Sequence, residues 1–241
     1  MQALDPQPGE RGLDIGCGKG AALIPLARAI GPAGRVTGID LAPRMVDAAR
    51  RAAADAGLGN VDVRVADAAA PGLERDAFDV AASSLVLFFL RDPAAVMAEW
   101  VSLLRPGGRL GTATFGPNDP VWNQVDSVFT PYLPTQMRDA RTTGQRGPFA
   151  SDAAMEDLFR DAGLGNVRAV TMTLEAVLRD PDHWYRFSWS HGQRAMWECV
   201  PEEARQQVCR DAYAVLESAR GADGSIIFDQ RIRYTLGSRP A

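Results

Sequence analysis

The chain has 241 residues, of which 46% are hydrophobic and 23% charged, and its formal net charge is −4 at pH 7. This composition is typical of a globular protein, and the length allows one large domain or a domain with an inserted cap. The net negative charge, without any cluster of five or more Lys and Arg, argues against nucleic acid or an anionic membrane as the main partner. The longest apolar run, residues 80–90, is shorter than the roughly 20 residues that a membrane-spanning helix needs.

Strand and helix patterns alternate at short spacing through the first 115 residues. Pro43 opens one helix and Gly57 ends it, while Asp92 is placed to cap the next helix, which stops at Pro106-Gly107. The alternation predicts a parallel, doubly wound sheet with right-handed crossovers. The predicted strands span residues 11–16, 35–40, 60–67, 77–85 and 109–115, and the helices lie between them.

The alternation breaks after Phe115, and two insertions interrupt the back half. A helix capped by Ser151 or Asp152 and two long strand patterns, 166–177 and 225–237, continue the sheet. The predicted organisation is a core (1–116), a cap insertion (117–150), a core helix with strand six (151–179), a helical cap insertion (180–220) and strand seven (221–241).

The first strand is followed by a glycine turn, "GCGKGA" at residues 16–21, at the start of a helix. Such a turn lets a ligand approach the backbone amides and the helix N-terminus. By itself the pattern is ambiguous, because it also satisfies the relaxed G-x-G-x-x-G/A fingerprint of dinucleotide-binding proteins, and a plain tight turn is a third interpretation.

Three acidic residues at the ends of neighbouring strands favour a cationic nucleoside ligand. Asp14 lies inside the first strand, where a buried carboxylate is costly unless a positive group pairs with it; a pyrophosphate would be repelled. Asp40 ends the second strand, where a carboxylate can accept both hydroxyls of a ribose. Asp67 ends the third strand and is placed to contact an adenine amino group.

Five motifs, in order and spacing, give the chain a resemblance to a known family. "LDIGCGKG", "GID", "AD", "FDVAASSLVLFFL" and "LLRPGGRL" are similar to the motifs of class I S-adenosylmethionine-dependent methyltransferases, in particular the small-molecule group that includes the quinone-biosynthesis enzymes. The resemblance is strong over residues 8–115. It implies an α/β, Rossmann-like seven-stranded sheet in the order 3-2-1-4-5-7-6, with the last strand antiparallel and helical substrate-cap insertions.

The resemblance also implies S-adenosyl-L-methionine as the methyl donor, S-adenosyl-L-homocysteine as its product, and no metal. Carried over residue by residue, it places the methionine end of the donor near the first strand, the ribose at the second and the adenine at the third. The implied donor-binding residues are Asp14, Gly16, Gly18, Asp40, Leu41, Met45, Asp67, Ala68 and Ser83.

Two departures from the family stand out. Many relatives carry histidines near the end of the fourth strand, where this chain has Phe88 and Phe89, so a polar substrate contact or a base at that place is in doubt. Relatives usually also carry a helical segment before the glycine motif that covers the donor. This chain reaches its motif soon after Met1, so we expect the lid to be missing or trimmed, and a second copy of the chain, as a homodimer, could replace it.

Aromatic residues in the two insertions predict a pocket for a flat or apolar methyl acceptor. In the stretch 180–198, Trp184, Phe187, His191 and Ala195 are spaced to share one helix face, with His191 as a candidate general base or hydrogen-bond partner. The alternative is that these aromatics only dock the inserted helices on the sheet. The candidate acceptor residues are Phe115, Trp122, Trp184, Phe187 and His191.

The sequence therefore predicts a cytoplasmic methyltransferase for a small-molecule acceptor. Three cysteines without CxxC spacing fit reduced thiols. Two alternatives stay open: a family member that binds the donor but catalyses another reaction or none, and a nicotinamide-dependent oxidoreductase on a related fold, against which the missing Y-x-x-x-K pair and the acid in the first strand speak.

Overall fold

A single seven-stranded sheet organises the fold. The structure, a computed structural model, describes residues 1–138, 146–190 and 192–241. The strands follow the order β3-β2-β1-β4-β5-β7-β6, as predicted. They are β1 (Arg11–Ile15), β2 (Arg35–Asp40), β3 (Val61–Val65), β4 (Phe78–Ser84), β5 (Leu104–Phe115), β6 (Gly165–Leu178) and β7 (Ile226–Ser238).

The first five strands are parallel and the seventh is antiparallel to its neighbour. Residue pairing runs in one direction through β3, β2, β1, β4 and β5. Backbone amides of Gly107 and Gly116 donate to the carbonyls of Arg239 and Arg231, so β7 runs against β5. The helices are α1 (Leu23–Ile30), α2 (Pro43–Asp55), α3 (Pro93–Leu103), α4 (Pro120–Ser127), α5 (Asp152–Asp161), α6 (Pro181–Ser188), α7 (Gln193–Cys199) and α8 (Glu202–Ser218).

Two predicted caps are confirmed by hydrogen bonds. The Asp92 carboxylate accepts from the amide of Ala95 at the start of α3, and the Ser151 hydroxyl accepts from the amide of Ala154 at the start of α5. Each side chain satisfies one of the amides that a first helical turn leaves without an intrahelical partner.

Two predicted element boundaries are wrong. The helix predicted to stop at Pro106-Gly107 ends earlier, because α3 ends at Leu103 and β5 begins at Leu104, pairing with β4 through a register irregularity. The single helix face predicted for the stretch 180–198 does not exist, because α6 ends at Ser188 and α7 begins at Gln193. Helical spacing places side chains on one face only within one continuous helix, so the spacing of Trp184 and Ala195, which lie on different helices, does not put them on a common face.

The chain forms two compact units. The first comprises Met1–Thr114, Gly147–Thr171 and Arg233–Ala241, and the second comprises Phe115–Arg146 and Met172–Ile232. The finer domain boundaries inferred from the sequence stay predictions.

The core of the first unit lies between α1, α2 and the strands β1 to β4. Its buried residues include Leu23, Leu26, Val36, Val46 and Val80. Among the described residues, no helix is both long enough and apolar enough to cross a membrane.

The second unit has its own aromatic core. Trp197 is completely buried, and its ring contacts Phe129 edge-on at 4.8 Å and stacks on Trp189 at 5.7 Å between centroids. Its indole Nε1 donates to the Ser188 hydroxyl at 2.8 Å, which satisfies the polar atom inside an apolar cluster. Helices α4 and α8 pack around these rings.

Candidate functional site

The glycine turn after β1 combines a tight contact with an open position. Gly16 and Gly18 have φ angles of 71° and 52°, which side chains rarely adopt. A Cβ on Gly16 would lie 2.3 Å from Cγ2 of Val86, whereas a Cβ on Gly18 would meet no atom within 4 Å. Gly16 is therefore required for packing inside the protein, and Gly18 leaves the backbone open to a ligand.

Asp14 is a buried carboxylate without a cationic partner. Its side chain is 1% exposed, and neither oxygen forms a salt bridge or a hydrogen bond with a described side chain. Burial raises the pKa of Asp14 to about 7; the backbone amide of Leu23 opposes this shift, and the nearby Asp40 carboxylate adds to it. A buried acid of this kind is stabilised when a cation binds beside it.

Asp40 holds the glycine turn from the end of β2. Its Oδ2 accepts from the amide of Gly18 and its Oδ1 from the amide of Ala42, both at 2.9 Å. Each oxygen has a second lone pair, so the carboxylate can accept two further hydroxyl protons while it keeps these bonds.

Beyond Asp40, apolar and polar groups lie at the ends of β2 and β3. Leu41 and Met45 are exposed although both are large and apolar. The Asp67 carboxylate accepts from the amide of Ala69 at 2.8 Å, and the carbonyl of Ala68 accepts from the indole of Trp100 at 2.8 Å. The structure thus collects the predicted adenosine residues at the carboxyl ends of adjacent strands, where open α/β sheets bind ligands.

The end of β4 completes this edge. Ser83 is buried, and its hydroxyl donates to the carbonyl of Ile15 at 3.0 Å, so β4 is tied to β1 directly below the glycine turn. Burial raises the pKa of Cys17, within the turn, to about 12. This thiol stays protonated at neutral pH, which fits a packing role and not a nucleophile.

All nine predicted donor residues therefore belong to the first unit and lie along β1 to β4. Their chemistry fits S-adenosylmethionine: an unpaired buried acid suits a sulfonium or ammonium, an accepting carboxylate suits ribose hydroxyls, and exposed apolar side chains suit a base. Sequence reasoning missed Val86, whose contact with Gly16 joins residues 70 positions apart and leaves no local signal.

The predicted acceptor residues that the structure describes belong to the second unit and differ in their environments. Trp184 is completely buried and contacts the rings of Trp197 and Tyr213, so it is a core residue and cannot be reached by an acceptor in this structure. Phe187 is 44% exposed and packs against Trp122, with ring centroids 6.5 Å apart.

Two further predicted acceptor residues are half-buried, and a third lies outside the described residues. Phe115 is half-buried at the end of β5, and Trp122 is half-buried and packs on Phe228 at 4.7 Å. His191 lies outside the described residues. Asp126, which sequence reasoning missed, accepts from the side-chain amide of Gln193 at 2.7 Å; burial raises its pKa to about 6, and that hydrogen bond opposes the shift.

Two cavities lie at opposite ends of the strands in the first unit. The larger, about 460 Å³, is at the amino ends of β1 and β2, away from the glycine turn. The smaller, about 210 Å³, adjoins the turn and is lined mainly by apolar side chains. Of the nine predicted donor residues, Ser83 alone lines the smaller cavity. Its lining includes Leu4, Ala21, Ala22, Ser83, Ser84 and Tyr234.

Comparison with known proteins identifies the family and agrees with the fold. Residues 13–108 match the family described as methyltransferase domain. The whole chain aligns with 90% of nocamycin O-methyltransferase from Saccharothrix syringae at 36% identity. A demethylmenaquinone methyltransferase from Listeria welshimeri is 28% identical over 71% of this chain and 77% of its own length. The solved structure of the YcgJ protein from Bacillus subtilis has the same fold, with a TM-score of 0.65 at 18% identity, covering 100% of this chain and 96% of that one.

The fold and these similarities together define an enzyme that uses S-adenosylmethionine. The chain belongs to the class I S-adenosylmethionine-dependent methyltransferases and resembles the quinone-biosynthesis members of that family.

Proposed function

We propose that this methyltransferase acts on a small, aromatic or hydrophobic metabolite in an aromatic-lined pocket. The observation that supports the proposal is the ring pair Trp122 and Phe187 in the second unit, whose centroids lie 6.5 Å apart and which is partly exposed, so that it offers aromatic surface. The two curated relatives are named for nocamycin and demethylmenaquinone, and not for a protein or a nucleic acid. Phe115, at the end of β5, is a further candidate contact.

The donor residues have separate tasks in this proposal. S-adenosylmethionine, when bound, supplies a methyl group already activated on a sulfonium. Asp14 pairs with the positive end of the donor, Asp40 accepts the ribose hydroxyls, and Leu41 with Met45 covers the adenosine. Asp67 and Ala68 contact the adenine. What the protein adds is orientation of the acceptor in line with the methyl group and exclusion of water.

A general base is needed only for an acceptor that is a poor nucleophile at neutral pH, such as an alcohol. We propose His191 for that role, because an imidazole titrates near neutral pH. Asp126 is the second candidate, since its raised pKa of about 6 leaves it ionised and basic at pH 7. His191→Ala is expected to lower turnover by about 10²-fold, and Asp126→Asn to leave it within about threefold. The opposite pattern would assign the base to Asp126.

The direct test is transfer of an isotopically labelled methyl group from S-adenosylmethionine to a panel of hydroxylated aromatic acceptors. Production of labelled acceptor and S-adenosylhomocysteine is expected. Donor binding without S-adenosylhomocysteine formation across the panel would support a family member with another activity. Asp40→Ala is expected to weaken binding of S-adenosylhomocysteine about 30-fold, measured by calorimetry, because it removes charge-assisted hydrogen bonds.

We also propose that the enzyme works in the cytoplasm, as a monomer or a homodimer. Light scattering after size-exclusion chromatography separates the two states. If dilution dissociates a dimer and the affinity for the donor falls at the same time, the result would support the hypothesis that the second subunit covers the donor site.

A further inference from the structure

The larger cavity of the first unit is lined by positive charge. It lies at the amino ends of β1 and β2, away from the glycine turn, and its described lining contains Arg11 and Arg35 but no acidic residue. Its volume of about 460 Å³ falls within the roughly 300–1,000 Å³ that is typical of small-molecule sites. None of the predicted donor residues lines it, so the donor does not explain it.

The two arginines are direct neighbours on adjacent strands. Arg11 on β1 is in register with Arg35 on β2, and both are exposed. Adjacent strands lie about 4.8 Å apart, and residues in register point to the same face of the sheet, so two positive charges start side by side. Among the residues that the structure describes, neither guanidinium forms an ion pair with a carboxylate. Like charges in this arrangement oppose folding, so an anion between them would relieve their repulsion.

Arg11 is also held in place by an aromatic ring. Its Cζ lies 5.7 Å from the centroid of the Phe78 ring, over which it is placed, and Phe78 is 4% exposed. A guanidinium above a buried ring keeps the donors at its edge free, and it loses less side-chain entropy when it binds a ligand.

The two carboxylates that adjoin Arg11 are already neutralised by other groups. Glu10 precedes it in the chain and accepts from the guanidinium of Arg109 at 2.7 Å. Asp79 accepts from the backbone amide of Arg11 at 2.7 Å and from the guanidinium of Arg105 at 2.9 Å. Because these acids have cationic partners of their own, the positive charge of Arg11 is left for a ligand.

The carbonyl groups at the end of α1, which would repel an anion, are engaged as well. The side-chain amide of Asn60 donates to the carbonyls of Ala27 and Gly31 at 3.0 and 2.8 Å. The amide of Gly9 donates to the carbonyl of Ile30 at 2.9 Å. The negative end of the helix is thus satisfied inside the protein, and the arginines set the charge of the cavity.

We propose that this cavity is a second binding site, for a small organic molecule that carries a diphosphate group held by Arg11 and Arg35. A guanidinium presents a planar fork of donors that matches the oxygens of a phosphoryl group. Two such forks side by side suit two linked phosphoryl groups, and the remaining volume accommodates the organic part of the ligand. The site is separate from the donor edge, and the proposal does not depend on methyl transfer.

The probe is inorganic pyrophosphate, whose binding is measured by calorimetry at constant ionic strength, with malonate as the comparison anion. Wild-type protein is expected to bind one pyrophosphate, at least about fivefold more tightly than malonate. Arg11→Gln and Arg35→Gln should each weaken pyrophosphate binding about three- to tenfold, because each removes charge-assisted hydrogen bonds. Arg11→Lys keeps the charge without the fork and should weaken it about two- to threefold. Arg51→Gln, which removes the same charge from an exposed position on α2, is the matched control and should change nothing.

Donor binding keeps the outcomes separate. Saturating pyrophosphate should leave the affinity for S-adenosylhomocysteine within about twofold, because the cavity and the glycine turn lie at opposite ends of the strands. If wild-type protein binds no S-adenosylhomocysteine, the proposed function fails, and the titrations with pyrophosphate still test the cavity.

Four results would overturn the inference. They are the absence of pyrophosphate binding to wild type at millimolar concentration, equal affinity for malonate, and an equal loss of affinity in Arg51→Gln and Arg11→Gln. The fourth is displacement of S-adenosylhomocysteine by pyrophosphate, which would place the anion at the glycine turn and not in this cavity.

Discussion

Asp14 provides the sharpest prediction, because the property that suits it to a cationic donor destabilises the donor-free protein. Burial raises its pKa from the usual 3.8 to about 7. Since the pKa is higher in the folded protein, the loss of unfolding free energy caused by Asp14 is absent below pH 3.8, grows between pH 3.8 and about pH 7, and is constant above that range. With about 1.4 kcal/mol per pKa unit, the ionisation of Asp14 costs roughly 2 kcal/mol of unfolding free energy at pH 5 and roughly 4 kcal/mol at pH 8.

Asp14→Asn removes the ionisation and keeps the shape. The amide of asparagine would also lack partners at this buried site, which costs about 1–3 kcal/mol at any pH. The useful quantity is therefore the change with pH: relative to wild type, the variant should gain about 2–3 kcal/mol of unfolding free energy between pH 5 and pH 8.

The assay is urea unfolding of the donor-free protein at the two pH values, for wild type and variant. The same preparations should bind S-adenosylhomocysteine more weakly, by about 10²-fold at pH 8, because the buried partner of the amino group is gone. An equal stability difference at pH 5 and pH 8 would refute the reasoning, since it would mean that Asp14 does not titrate between them.

Three further predictions follow from the same geometry. Affinity for S-adenosylmethionine, measured by calorimetry, should rise by up to about tenfold per pH unit below pH 7 and level off above it in wild type, because binding favours ionised Asp14, and should be flat in Asp14→Asn. Gly16→Ala should lower the unfolding free energy measured in urea by about 2–4 kcal/mol, because the new Cβ would clash with Val86. Gly18→Ala should lower it by about 1 kcal/mol and mainly weaken donor binding. Equal losses for the two variants would contradict the packing assigned to Gly16. Arg233→Met should lower the unfolding free energy by about 2–4 kcal/mol, because the buried guanidinium donates to Asp152 at 2.6 Å and to the carbonyl of Phe149 at 2.9 Å. As a control, Arg231→Met removes the more exposed ion pair with Asp229 and should lower the unfolding free energy by about 0–1 kcal/mol in the same urea unfolding assay.

The amino-acid sequence by itself determined the fold and the strand ends at which the candidate donor residues lie. Strand and helix periods, caps and glycine turns are local properties, and the ends of parallel strands necessarily meet at one edge of the sheet. For this reason Asp14, Asp40 and Asp67 could be assigned from their positions after successive strands.

Only the tertiary structure decided which aromatic side chains are accessible. Trp184 and Phe187 lie three residues apart on α6, yet one is completely buried and the other is exposed. Phe88 and Phe89 are chemically identical neighbours with opposite environments. Burial depends on which distant surface packs against a residue, and that information is spread over the whole chain, so no local pattern in the sequence contains it.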